Sequence, residues 1–67
     1  MDAYGALIER GVILSAEADG YRVESFARDG VITPPIPAIN DTEYTVGDRV
    51  YFFLFDDGRG SVLMDIK

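Results

Sequence analysis

The stretch Gly47-Asp48-Arg49-Val50-Tyr51-Phe52-Phe53-Leu54-Phe55 decides how the chain is read. Every residue from Val50 to Phe55 is aromatic or aliphatic, and the run is fenced by Gly47-Asp48 before it and Asp56-Asp57-Gly58 after it. A run that short and that apolar predicts a strand buried on more than one side. Side chains alternate along a strand, so Val50, Phe52 and Leu54 share one face while Tyr51, Phe53 and Phe55 share the other. The first set is expected to fill a core, and the second then lies outside it. Asp56-Asp57-Gly58-Arg59-Gly60 predicts a turn into a last apolar run, Ser61 to Ile66, completing a hairpin.

Upstream, Val12, Leu14, Ala16 and Ala18 alternate with Ile13, Ser15 and Glu17, which has the period of a strand. Asp19-Gly20 then predicts a hairpin through a type I′ turn, in which Gly accepts the positive φ. Tyr21 and Val23 alternate with Arg22 and Glu24, and Phe26 breaks the alternation where a bulge would. Asp29-Gly30 is a second turn signal. From Val31 to Ile39 the chain carries Pro34, Pro35 and Pro37, which remove backbone donors and exclude a central, fully paired strand. An extended edge segment with a short paired stretch over Ile36 to Ile39 is the expectation, followed by a loop at Asn40-Asp41-Thr42-Glu43-Tyr44. Five short strands joined by Asp-Gly turns predict an all-β barrel or sandwich, and a small barrel, OB-like or SH3-like, is favoured because closure hides strand edges.

The first residues have two readings. Asp2 as N-cap, Glu9 and Arg10 in a last turn and Gly11 at C′ describe a short helix. The alternative is an arm, with Leu7 onward already extended into the first strand. The predicted organisation is one domain, with residues 1–10 as helix or arm and 11–67 as barrel.

With 67 residues, the chain buries only about 60% of the surface its unfolded form exposes. Small domains add disulfides, a metal or partner subunits to a thin core. The chain has no Cys, no His and no Trp, which excludes disulfides and the usual zinc ligands and leaves oligomerisation. Twelve acidic residues against six basic ones give a net charge of −6. Five scattered arginines and one lysine are a poor match to a phosphate backbone, so no nucleic-acid partner is expected despite the aromatics Tyr21, Phe26, Tyr51, Phe53 and Phe55. No apolar run reaches the roughly 20 residues of a membrane span, and no signal peptide is expected.

Catalysis finds little support in the residue types. There is no His for proton transfer near neutral pH, and Ser15, Ser25 and Ser61 have no base type to activate them. Asp56 and Asp57 lack the distal bidentate Glu of a calcium loop and are read as turn formers. No enzyme activity, cofactor or metal site is expected. The run Pro34-Pro35-Ile36-Pro37 is read as a stiff edge that blocks unwanted strand addition, rather than as a polyproline ligand.

Read in order, Arg10-Gly11-Val12-Ile13, Tyr21-Arg22-Val23, Pro35-Ile36-Pro37, Gly47-Asp48-Arg49-Val50 and Gly60-Ser61-Val62-Leu63 resemble the successive strands of one family. It is the OB-fold domain of phage tail baseplate assembly proteins, the hub or spike component of contractile tails. The resemblance covers most of the chain from Gly11 onward. It implies a five-stranded OB barrel acting as a structural component of a phage or prophage tail, without the β-helical needle of full spike proteins. It further implies self-association or association with other tail proteins, and residence in the cytoplasm of the producing cell or in a virion or tail-like particle. A generic β-barrel adaptor for a peptide or protein partner is the alternative. The candidate interface is Tyr51, Phe53 and Phe55 together with Tyr4, Leu7 and Ile8, covered either by the N-terminal segment itself or by another subunit.

Overall fold

A computed structural model describes residues 7–66. Four antiparallel strands form one sheet: β1 (Glu9–Glu17), β2 (Gly20–Ser25), β3 (Arg49–Leu54) and β4 (Gly60–Asp65), in the order β2-β1-β3-β4. The domain is all-β, and a single 3-10 turn at Ile39–Asp41 is the only helical element among the described residues. Within that turn Asn40 and Asp41 sit at φ 60° and 55°, a region these two residue types tolerate better than most.

The sheet begins earlier than the sequence predicts. Glu9, Arg10 and Gly11 belong to β1, paired with Phe52, Tyr51 and Val50. The helical reading of Glu9 and Arg10 as a last turn and Gly11 as its C′ residue is therefore wrong, and the boundary at residue 11 moves back. Cap-like residues offer about 1 kcal/mol each, less than a ladder that buries Val50 and Phe52 completely. Residues 1–6 of the expected helix, Tyr4 included, lie outside the described residues. Gly11 instead answers a packing demand: a Cβ there would lie 2.5 Å from the Glu24 carbonyl oxygen and 2.9 Å from the Phe52 ring.

β1 serves both neighbours because it bends. It pairs with β2 from Gly11 to Glu17 and with β3 only from Glu9 to Val12. Its register with β2 shifts between Ile13 and Ser15, so the bulge lies at Leu14 and not at Phe26, where broken alternation places it. Phe26 follows the end of β2 and donates its N–H to the Arg10 carbonyl at 2.9 Å. The β1–β2 hairpin occurs as predicted, but its two-residue loop is Ala18-Asp19, closed by the pair Glu17 and Gly20. Neither loop residue has positive φ, so the turn is not type I′. Gly20 is required for another reason: the Ile36 backbone crosses so close that a Cβ would lie 2.5 Å from its carbonyl oxygen.

Residues 31–38 do not form the expected fifth strand, and the strand ladder itself is open. Three prolines leave this segment too few donors for a ladder. It makes isolated bridges instead, antiparallel to β2 at Ile36–Tyr21 and Ile32–Glu24, and parallel to β4 at Ala38–Val62. Tyr21 and Ile36 exchange backbone bonds of 2.8 and 3.0 Å, and the Pro37 carbonyl accepts the Val62 N–H at 2.9 Å and the Ser61 hydroxyl at 3.0 Å. Thr33, fully buried just before Pro34, donates its N–H to the Val23 carbonyl and accepts the Val23 N–H on Oγ1 at 3.0 Å. One residue thereby satisfies both backbone groups of Val23.

The core is Ile13, Val23, Ile36, Tyr44, Val50, Phe52 and Val62, with Tyr21, Ala38 and Leu54 packed against it. Tyr44 comes from a segment whose composition reads as loop. It is held by an edge-to-face contact with Tyr21, centroids 5.6 Å apart, and by its N–H donating to the Tyr21 hydroxyl at 3.1 Å. Burial, followed by the nearby Asp65 carboxylate, pushes the Tyr44 hydroxyl above the usual tyrosine range. Among the described residues no buried side-chain polar atom lacks a partner. Thr33→Val preserves shape but strands the buried Val23 N–H, and is expected to lower stability by about 1–3 kcal/mol. Thr33→Ser keeps the bond and should cost less. Urea unfolding reads both, and a Val variant as stable as the wild type would refute the role assigned to the hydroxyl.

Candidate functional site

The register of the sheet makes one outward face. Arg10, Tyr51 and Met64 stand side by side across β1, β3 and β4, and Val12 and Arg49 form the next row. Phe53, two residues beyond Tyr51, continues the face along β3 and meets Phe55 edge to face, with centroids 5.4 Å apart. Inward, Val50 and Phe52 are fully buried and Leu54 packs partly against the core. The β4 register shifts opposite the Tyr51–Phe52 step, and this bulge at Leu63 brings Met64 level with Tyr51 on the outer side.

The sequence-predicted interface residues divide into two adjoining groups. Tyr51, Leu7 and Ile8 line one cleft of about 400 Å³, together with Arg10, Ala27 and Arg28. Phe53 on β3 and Phe55 just beyond its end form an aromatic pair. Tyr4 is outside the described residues. Leu7 and Ile8 are 83% and 66% exposed and Met64 is 56% exposed, so the two aliphatic residues before β1 add to the apolar surface rather than seal it. Met64, Arg10 and Ala27 were not legible as part of this surface. Met64 depends on a bulge, and the 26–28 turn reaches the cleft only through tertiary contacts.

That turn is fixed by charge. Arg28 grips Glu9 with two bonds, Nη2 to Oε2 at 2.7 Å and Nε to Oε1 at 3.2 Å. The Ser25 hydroxyl donates to the same carboxylate at 2.8 Å and accepts the Ala27 and Arg28 N–H groups. A two-pronged Arg–carboxylate pair defines orientation as well as proximity. The Glu9 carboxylate, the one acidic group lining the cleft, is thus already engaged.

A second cleft of about 320 Å³ lies at the other end of β1, around the Ala18-Asp19 loop, with Glu17, Asp19 and Asp41 on its walls beside Ala16 and Pro37. Glu17 accepts from Arg22 at 2.7 Å and from Ser15 at 3.0 Å. In the β3–β4 turn, Asp57 accepts the Arg59 N–H at 3.0 Å, the turn chemistry expected of it. Among the described residues no three His, Cys, Asp or Glu side chains come together to hold a metal ion, and no helix is long and apolar enough to cross a membrane.

No family model and no curated protein matches this chain. The geometry of the outer face therefore carries the functional reading.

The hydrogen bonds from Arg22 and Ser15 hold the Glu17 carboxyl below the usual glutamate range. A carboxyl depressed in the folded state stabilises the fold above its unfolded pKa, and that contribution is lost as pH falls through the lower, folded value. An NMR titration should find Glu17 ionising below the usual glutamate range, and Arg22→Ala should move it back towards that range. An unchanged Glu17 titration in Arg22→Ala would remove the pair as its cause.

Proposed function

We propose that the protein is a non-enzymatic assembly module that self-associates through the outward face of β1, β3 and β4, as the OB domain of a phage or prophage tail baseplate hub would. The observation that carries this reading is the continuity of that face. Tyr51, Phe53, Phe55 and Met64 run across two strands and are extended by Leu7 and Ile8 around a shared cleft. Scattered apolar residues are normal on a surface, whereas a contiguous apolar patch marks an interaction site. A thin core and the lack of cysteine add to the case for stabilisation by association.

The chain connectivity supports the finer fold assignment. Residues 31–38 bond to β2 on one side and to β4 on the other, and the bridge to β4 is parallel. The OB fold is a five-stranded, partly open Greek-key barrel, and these bonds put residues 31–38 where a further strand would stand. The sequence resemblance, from Gly11-Val12 through Gly60-Ser61-Val62, follows the same order. An adaptor that captures an apolar peptide in the cleft beside Tyr51 is the second reading, favoured by the volume of that cleft alone. A single-stranded nucleic-acid partner fits less well, because carboxylates outnumber basic groups two to one.

Phe53→Asp tests the proposal directly. The side chain is on the outer face, so the variant is expected to keep its β circular dichroism while losing self-association in multi-angle light scattering. Tyr51→Asp should do the same. A wild-type chain that stays monomeric up to millimolar concentration, or a Phe53→Asp variant that still assembles, would count against the face.

A further inference from the structure

We infer that Asp29 is a site of spontaneous isoaspartate formation, selected by the fold from three Asp-Gly sequences. These are Asp19-Gly20, Asp29-Gly30 and Asp57-Gly58. In each, the glycine backbone nitrogen can attack the aspartate side-chain carboxyl, because glycine has no Cβ to obstruct the approach. A bond forms between that nitrogen and Cγ. The hydroxyl of the carboxylic acid leaves with the amide proton as water, and a five-membered succinimide ring results. A second water then reopens the ring. Attack at the Cγ carbonyl restores aspartate. Attack at the main-chain carbonyl leaves the chain running through Cβ and Cγ, with the α-carboxyl as a side group. No oxidant, reductant or cofactor enters the balance.

The attacking nitrogen must be uncommitted, and the three turns differ on this point. The Gly58 N–H closes its turn by donating to the Phe55 carbonyl at 3.0 Å. Its electrophile is engaged as well, since Asp57 Oδ1 accepts the Arg59 N–H at 3.0 Å. Gly20 closes the β1–β2 hairpin opposite Glu17. Tyr21 exchanges both its backbone bonds with Ile36, so the alternation of an antiparallel ladder turns the N–H and C=O of Gly20 towards Glu17. The Ile36 backbone also crosses Gly20 at close range. Neither nitrogen is free.

Asp29-Gly30 sits one place earlier in its turn. Val31, and not the glycine, donates the closing bond, to the Arg28 carbonyl at 3.0 Å. Asp29 and Gly30 are then the two central residues, and the Gly30 φ of 76° is that of the second central residue in a type II turn. Among the described residues the Gly30 N–H donates no backbone hydrogen bond. Both residues are exposed, and nothing lies within 4 Å of where a Gly30 Cβ would stand. Arg28 does not clamp the neighbouring carboxylate, because it is turned to Glu9. The flanks are fixed on both sides: Arg28 by Glu9, and Val31 through its carbonyl, which accepts the Ser25 N–H at 3.0 Å. The methylene added by isomerisation therefore lengthens an exposed link and leaves the core residues in place.

Incubating the full chain at neutral pH, then mapping its peptides by electron-transfer fragmentation, locates isoaspartate at each of the three positions. In the folded chain Asp29 is expected to convert about tenfold faster than Asp19 or Asp57, because each of these must first open a turn hydrogen bond. In urea the three rates should converge, since the turns that separate them are gone. Asp29→Glu, whose longer side chain would have to close a six-membered ring, should abolish conversion at that position and leave the other two unchanged. The aged wild type should keep its β circular dichroism. Equal rates at the three positions in the folded chain, faster conversion at Asp19 or Asp57, or a lead for Asp29 that persists undiminished in urea would overturn the assignment. So would an Asp29 that stays intact while the urea-unfolded chain converts.

Discussion

The fold depends on how one segment with three prolines satisfies the backbones of two strands at once. Residues 31–38 lie along β2 and reach β4, yet Pro34, Pro35 and Pro37 have no N–H to give. The available groups are placed where they are needed. Ile36 contributes both its N–H and its carbonyl to Tyr21, Thr33 contributes N–H and hydroxyl to Val23, and the Pro37 carbonyl takes two donors from β4. A proline carbonyl is as good an acceptor as any other, and φ fixed near −65° keeps the segment extended at little further entropic cost. Ile36 is thereby carried into the core against Val23 and Val62. Without this segment the edges of β2 and β4 would present unpaired groups to any passing strand.

Covering the sheet from the inside has a consequence for its outside. Phe52 and Val50 are fully buried, so alternation forces Tyr51 and Phe53 outward, where they are half-buried and Tyr51 lines a cleft with Leu7 and Ile8. The bends of β1 at Leu14 and β4 at Leu63 curl the sheet around its small core and gather Arg10, Tyr51 and Met64 on the convex side. The same bulges that let four short strands enclose seven core residues also line up the outer row.

Much of this was legible because it is local. The alternation of Val50, Phe52 and Leu54 with Tyr51, Phe53 and Phe55 follows from strand geometry alone, and the Asp-Gly turns marked both hairpins. What was not legible is where tertiary contacts overrule local signals. Asp2, Glu9 and Gly11 have the order of a capped helix, yet Glu9 to Gly11 pair with β3, because a ladder with a buried face outweighs caps. Gly20 signals a type I′ turn by its neighbour Asp19, but its lack of a side chain serves the passage of the Ile36 backbone. Tyr44 is hidden in a polar loop, and only its contact with Tyr21, 23 residues away, brings it into the core. The outer face was legible in its aromatic half. The other half, Arg10 and Met64, depends on register, which no single strand specifies by itself.

The balance between core and face argues for association more strongly than either does alone. A chain of this length gains stability mainly from burying apolar side chains, each worth about 1.5–3 kcal/mol when fully buried. Among the described residues only seven hydrophobic ones are buried, while Leu7, Ile8, Phe55 and Met64 are left exposed around one side of the sheet. Polar residues at these positions would leave the hydrogen bonds of residues 31–38 and the packing around Phe52 untouched, and would make a monomer more soluble. The fold therefore gives no reason for the apolar character of the outer face. The proposed association would give one, since side chains that are a liability in the free domain would be buried in an assembly. The arginines fit the same account: guanidinium groups are weakly hydrated for cations and stack on aromatic rings, so they can stand within an apolar face at less cost than lysines would.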